Sequence, residues 1–391
     1  MRPLAVVAAL LIASTAGAAG FRASASLGPS GFRVPSGDGI VFRASFATTG
    51  CLASPVADTG QAITVTRAST RTCGSSLATC QNNELCVESD GALVEPGRTN
   101  LIVFSQAFDN AEWALFNAPT VTADAAVAPD GTTTADQVNA GSAAIRDQGI
   151  AVAASTAYQF TVWLKRATGS NQTVPIYVFN DSSASVLGTN NATATDTWQR
   201  FTLSVTTPVG ATTVQAGFNV GSYNVYAWGA QLEAGDAPTT YIATAGTAAA
   251  RANDAISFPI NVPDSEGCVR ADVKLLASAF AGTARVLGLA GAPSMLYVST
   301  DTQASANDGT NTVSQAASSI SAASRSLRSS WSGSTLLVQT ASGSTSGSYD
   351  GAFGLGLPVT VYLGSQNGSS NFLGGYVKNI KIGTRASRCD L

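Results

Sequence analysis

The chain of 391 residues contains no histidine. That absence removes the commonest general base, the commonest zinc ligand and every Ser–His or Cys–His nucleophile pair. Charge is scarce too: Asp, Glu, Lys and Arg make up 12% of residues, about half the usual share. Lysine occurs only at Lys165, Lys274, Lys378 and Lys381, and the net charge is −3 with no basic block. Such a chain has no footprint for a nucleic acid partner. No long segment keeps helical periodicity between caps, which excludes a helical bundle.

Long apolar runs are also missing, except at the N-terminus. There "MRPLAVVAALLIASTAGAAG" places Arg2 before an apolar run from Leu4 to Ala13, with Ala16 and Ala18 spaced for A-x-A cleavage. This reads as a secretory signal peptide over residues 1–18, too short to span a membrane. The alternative is a buried N-terminal helix. No cysteine directly follows the run, so a lipid anchor is not expected. No other stretch reaches membrane-spanning length. Abundant Arg and Ala with little Lys suggest a GC-rich bacterial genome.

Six cysteines are present: Cys51, Cys73, Cys80, Cys86, Cys268 and Cys389. An even number in an exported chain predicts three disulfides. Four lie close together, which leaves Cys268 and Cys389 as the natural long-range pair. Proximity alone then suggests Cys73–Cys80 and Cys51–Cys86. Zinc is disfavoured because "CGSSLATCQNNELC" lacks both C-x-x-C spacing and histidine.

What is plentiful is Gly, Ala, Ser, Thr and Val, a composition suited to half-buried strands joined by tight turns. Hydrophobic residues are 45% of the chain, enough to bury a core. The expected fold class is all-β, with two consecutive β-sandwich (jelly-roll) domains after a signal peptide and a disulfide-stapled N-terminal segment. Residues 19–96, with "GIVFRASF" and "AITVTRAS", look too thin for their own core and should pack on a neighbour. Residues 97–250 hold a first strand series: "NLIVFS", "YQFTVWLKR", "VPIYVFN", "WQRFTLSV", "TTVQAGFNVG" and "NVYAWGAQLE". Residues 251–391 hold a second series, from "AISFPINV" to "GYVKNIKIG", and "YIATAGTAAARAND" reads as the linker between them.

Three separated motifs carry a resemblance: "VEPGRTNLIVFSQAFDNAEW" from Val94, "APDGTTTAD" at 128–136 and "WGAQLEAGDAPTTYIATAGT" at 228–247. This region resembles the galactose-binding-like, carbohydrate-binding β-sandwich common in phage tail-associated and secreted bacterial proteins. The resemblance implies that "EPGRTN" is a lead-in, "NLIVFS" the first strand, "FDNAEW" a turn dropping Trp113 into the core, and "WGAQLE" the closing strand. "VTRASTRTC" matches the lead-in that commonly precedes the module. Related modules often hold a structural calcium through an acidic residue on the closing strand. Here "AWGAQ" has no acid, which puts that calcium in doubt; no other cofactor is expected. The region from about 254 to 388 resembles a laminin-G-like, concanavalin-like jelly roll through "LYVSTDTQASANDGT", "SSWSGSTLLVQ" and "VYLGSQNGSSNFLGGYVKNIKI". Both folds host many roles, so function must come from a site.

Catalysis finds little footing. Retaining glycoside hydrolysis needs two carboxylates close together, usually paired Glu on a jelly-roll strand. Past residue 253 the single Glu is Glu266, while Asp264, Asp301, Asp308 and Asp350 sit in Gly/Ser-rich turn settings. Glycan binding is better supported. A sugar site pairs an aromatic plate for C–H faces with planar polar side chains on a rigid sheet. In "YQFTVWLKR", Tyr158, Phe160, Val162 and Leu164 alternate with Gln159, Thr161, Trp163 and Lys165, so Trp163 and Lys165 leave the core face. The same alternation brings Tyr177 and Phe179, Arg200, Gln215, Asn219 and Gln231 onto the expected platform, with Ala227 and Gly229 leaving room beneath a ligand. The competing reading puts Trp163 and Tyr177 half-buried under loops. Trp113, Trp198, Trp228 and Trp331 read as core. The expectation is a secreted, non-catalytic protein binding polysaccharide or glycan, with no nucleic acid partner and no membrane span. The alternative is a structural or adhesive component, and a hydrolase stands behind both.

Overall fold

Alternating burial of period two marks strands such as Gln172–Asn180, Ala255–Ile260 and Thr335–Thr340, each with one face in a core. The computed structural model describes residues 39–73, 77–139, 143–147, 149–277, 283–290, 293–351, 353–355 and 358–390. The expected signal segment lies outside the described residues. Among those described, the one helical element is the short 3-10 turn Ala386–Cys389, and every ladder between named strands is antiparallel. No described helix is long and apolar enough to cross a membrane.

Two sandwiches are present, and one is nested within the other. A nine-stranded sheet joins N-terminal strands Gly50–Leu52, Leu85–Glu88 and Gly91–Val94 to the late strand Gly375–Gly383, and then to Glu266–Leu275 and Arg325–Ser332. Ile40–Ala44 also pairs with Gly375–Gly383. The facing seven-stranded sheet takes Thr64–Thr66 onto the edge of Ala255–Ile260. One core fills the gap, with Phe42 stacked on Phe258 at 3.8 Å between ring centres. The N-terminal segment is therefore part of the second sandwich's own sheets, and the two sandwiches are not consecutive. The reason is pairing: a thin segment with few apolar residues completes the sheets of a distant one.

The inserted sandwich has a five-stranded sheet, ordered Thr120–Ala126, Ala135–Asn139, Val225–Ala234, Ala157–Arg166, Gln199–Thr206. Its partner sheet runs Ser185–Ala194, Gln172–Asn180, Thr213–Gly221, Ala143–Asp147, Trp113–Phe116. Phe160, Val162 and Leu164 meet Val174, Ile176, Val178 and Phe218 in a fully buried core. As the resemblance implied, Trp113 drops into that core, 4.6 Å from Phe108 between ring centres, with its Nε1 donating to Phe104 O. "NLIVFS" differs from expectation. After Asn100 it is not a ladder strand, because the buried Asn100 side chain takes over ladder bonding. Its Oδ1 accepts from Leu232 N and Ile102 N, and its Nδ2 donates to Ala230 O and Ile242 O.

The two chain passages between the sandwiches pair with each other, Arg98–Asn100 against Ala249–Arg251. The end of the expected linker "YIATAGTAAARAND" is thus a paired stalk, and buried ions lock it. Asp254 accepts from Arg67 at 2.9 Å and Arg71 at 2.6 Å, and Glu95 accepts from Arg71 at 2.7 Å with Arg251 at 3.2 Å. All five side chains are nearly solvent-free. Glu95 also accepts from Thr240 N and Thr240 Oγ1 at 2.8 Å each. Burial alone would raise the Glu95 carboxyl, but the attraction of Arg251 and Arg71, with the Thr240 bonds, holds it below its ordinary value. Buried ions tolerate removal of neither partner once their geometry is satisfied.

The bridges are Cys51–Cys80, Cys73–Cys86 and Cys268–Cys389. The two short pairings suggested by proximity, Cys73–Cys80 and Cys51–Cys86, are incorrect. Cys73 and Cys80 belong to opposite strands of one hairpin, Arg71–Cys73 with Ala78–Cys80, but Cys80 stands across from Arg71 and Cys73 from Ala78. Cys51 and Cys86 are ladder partners, yet each bonds to the hairpin beside them. The two bridges thereby tie that hairpin to the nine-stranded sheet. Cys268–Cys389 joins the strand Glu266–Leu275 to the final turn over 121 residues.

Candidate functional site

The sequence-selected residues divide between two opposite faces of the inserted sandwich. Trp163, Arg200 and Gln231 lie on the outer face of the five-stranded sheet, with Lys165 at its margin opposite Tyr226. Tyr177, Phe179, Gln215 and Asn219 belong to the other sheet. A single platform containing all of them does not form, because the core separates the two sets.

The first face is covered by the protein itself. After Val225–Ala234 the chain folds back across it, and Tyr241 packs 4.6 Å from Trp228 between ring centres. Trp163 stands edge-on to Trp228 at 6.5 Å, half-buried in a small cluster with Tyr241, Ala128 and Leu77. Its Nε1 is buried and makes no hydrogen bond. Gly229, at φ +65, sits under the indole, where an added Cβ would lie 3.0 Å from Trp163 Cδ1. The space that glycine leaves is filled by Trp163, and Ala227 points into the core instead. Gln231 is fully buried, its Nε2 donating to Glu233 at 2.8 Å and its Oε1 accepting from Ile242 N at 2.8 Å. Arg200 donates to Thr239 O at 2.7 Å and Thr161 Oγ1 at 2.9 Å. These polar groups hold the returning segment. Among the tryptophans expected in the core, Trp113, Trp228 and Trp331 are buried, while Trp198 is half-buried with its Nε1 donating to Val127 O.

The second face carries partly exposed side chains. Along Gln172–Asn180, Val174, Ile176 and Val178 are buried while Pro175, Tyr177 and Phe179 face outward, half-exposed. Register sets Tyr177 between Thr189 and Gly217, Phe179 beside Gln215, and Pro175 beside Asn191. Gly217, the ladder partner of Tyr177 on the next strand, is buried. Two aromatic rings thus stand in a row flanked by Thr189, Asn191 and Gln215, with Asn219 exposed further along. Gln215 is braced by Asp181, to which its Nε2 donates at 2.6 Å, and its Oε1 is buried. Aromatic plates beside amide and hydroxyl groups on a rigid sheet are the chemistry a sugar requires.

The carboxylates serve the backbone. Asp301 accepts from Ser321 N and Ser319 Oγ, Asp308 from Thr310 N and Asn311 N, Asp264 from Leu355 N, and Glu266 from Ala386 N. Asp136, in the "GTTTAD" motif, fixes the "FDNAEW" turn by accepting from Phe108 N at 2.7 Å and Asp124 N at 2.9 Å. Burial raises its carboxyl to about 6, against the pull of those two donors. Both of its oxygens face N–H groups, a poor arrangement for calcium, which wants several converging oxygens.

No family model matches the chain, and no curated protein matches it. Solved structures do. A family 4 carbohydrate-binding module is 18% identical, covering 34% of this chain and 93% of its own, at TM-score 0.26. A family 16 carbohydrate-binding module is 21% identical over 34% of this chain and 99% of its own, at TM-score 0.28. Domains LG4-5 of the mouse laminin alpha1 chain cover 79% of this chain and 95% of their own, at 12% identity and TM-score 0.24. At such scores the likenesses carry no argument about ligand, so the functional reading stands on the faces described above.

Proposed function

We propose that this chain is a secreted, non-catalytic bacterial protein that binds a polysaccharide or glycan on the outer face of the Tyr177 sheet. The observation that carries the reading is the row of Tyr177 and Phe179 beside Gln215, Thr189 and Asn191, outward on a sheet whose other side is packed core. Three disulfides suit an oxidising compartment outside the cell. The absence of histidine, together with carboxylates committed to backbone N–H groups, supports a binding role without turnover. A shallow face of this kind should give a Kd from roughly millimolar to micromolar, about −4 to −8 kcal/mol. Tyr177→Ala tests it: glycan binding should be lost while thermal unfolding is unchanged. Retained binding in a folded variant would discard this face.

A structural or adhesive role is the second reading. The edge strand Trp113–Phe116 favours it, because Leu115 and Phe116 are 45% and 38% exposed on an open sheet edge. Association of the purified chain that Leu115→Lys abolishes would move the balance to that reading.

A further inference from the structure

Where the inserted sandwich meets its stalk, a cavity of about 590 Å³ opens among Arg98, Thr99, Leu101, Val152, Tyr158 and Ala234. Small-molecule sites fall in a range of roughly 300–1,000 Å³. Arg98 is the one charged residue in this wall. Its hydrogen bonding is incomplete: the guanidinium donates to Gly97 O at 3.1 Å, and its Nε is buried without a partner. Arg67, Arg71 and Arg251 are each within ion-pair distance of a carboxylate, whereas Arg98 is not, although Glu233 and Asp236 lie near enough to attract it.

Local structure keeps this guanidinium in place. Gly235, at φ +142, lies directly against it, and an added Cβ there would come within 2.5 Å of Arg98 Nη2. A backbone bare of side chain lets the guanidinium pack directly against it. The rest of the wall mixes Thr99 with the apolar side chains of Leu101 and Val152. Tyr158 is 4% exposed, and its hydroxyl accepts from Ala153 N at 2.8 Å, fixing the loop across from Arg98. Leu101 and Val152 are half-buried beside it. The stalk beneath carries Arg67, Arg71 and Arg251 against Glu95 and Asp254, and Glu233 and Asp236 lie near Arg98. A planar guanidinium beside the apolar side chains of Leu101 and Val152 suits a carboxylate attached to a ring.

We propose that this cavity binds a carboxylated sugar, a uronic acid unit, with its carboxylate on Arg98 and its ring over Leu101 and Val152. The site is separate from the Tyr177 face and does not rest on it. The test is a calorimetric or NMR titration of the mature chain with glucuronate, with glucose and acetate in parallel. Glucuronate should bind at least about tenfold more tightly than either control, since neither the ring nor the carboxylate suffices alone. Arg98→Gln should weaken glucuronate by about tenfold or more. Ala151→Trp, at an exposed residue on the rim, should do the same by filling the cavity, and it decides the matter if Arg98→Gln does not fold. Tyr177→Ala should leave glucuronate binding intact. Equal binding of glucose or acetate, no binding of glucuronate, or indifference to both cavity variants would overturn the proposal.

Discussion

Replacing Glu95 with Gln isolates the contribution of the stalk. The substitution keeps the volume and can keep one bond to Thr240, but it removes the charge that faces Arg71 at 2.7 Å and Arg251 at 3.2 Å. Three buried guanidinium groups are then left with Asp254 alone. Breaking a buried pair from one side costs about 3 to 5 kcal/mol, because an uncompensated charge stays in a dry site. For a unit of roughly 200 residues, each kcal/mol moves Tm by about 2 to 4 °C, so the expected fall is on the order of 6 to 20 °C. Glu95→Gln/Arg251→Met should recover part of it, since the second change removes one of the orphaned charges. Acid titrates the same group. Its folded pKa is depressed, so its contribution is present above the unfolded value of about 4.5 and is lost as pH falls through the folded value. Calorimetry of wild type, single and double variants across pH reads all of this. A fall of less than about 3 °C for Glu95→Gln would show that the network is not closed to water, and the argument would fail.

Other perturbations give equally definite expectations. Trp163→Ala should cost about 2 to 4 kcal/mol, the lower part of the range for a large aromatic because the ring is only half-buried, and should leave glycan binding in place; loss of binding without loss of stability would reverse the assignment of faces. Removing Cys268–Cys389 as a pair of alanines frees a 121-residue loop and should cost about 4 to 5 kcal/mol in the chain-entropy model, with non-reducing peptide maps of the wild type showing Cys51–Cys80 and Cys73–Cys86. Asp136 has a folded pKa raised to about 6, so its contribution is present at low pH and is lost as pH rises through that value, on the order of 3 kcal/mol; Asp136→Asn should flatten this part of the pH–Tm curve, and an unchanged slope would refute it.

Local pattern was legible in the sequence, and long-range assembly was not. The alternation in "YQFTVWLKR" separates buried Phe160, Val162 and Leu164 from outward Trp163 and Lys165, as the ladder does. It contains nothing about what covers the outward side, and here the chain after Ala234 returns over Trp163. Nor does alternation say which sheet a strand joins, so Tyr177 and Trp163 read as neighbours while sitting on opposite faces. The nested arrangement depends on pairings such as Leu93 with Tyr376, which no local window contains. One signal was within reach. In a chain this poor in charge, "VTRASTRTC", "VEPGRTN" and "AAARAND" each hold charged residues amid small or apolar ones, and Arg67, Arg71, Glu95, Arg251 and Asp254 from these three stretches converge in the stalk.

A glycan array probed in parallel with the purified protein and with its Tyr177→Ala variant, both checked for equal Tm, tests the central claim most directly. The account predicts a discrete set of neutral glycans retained by the wild type and lost by the variant. The same set bound by both proteins, or no glycan bound by the wild type, would contradict it.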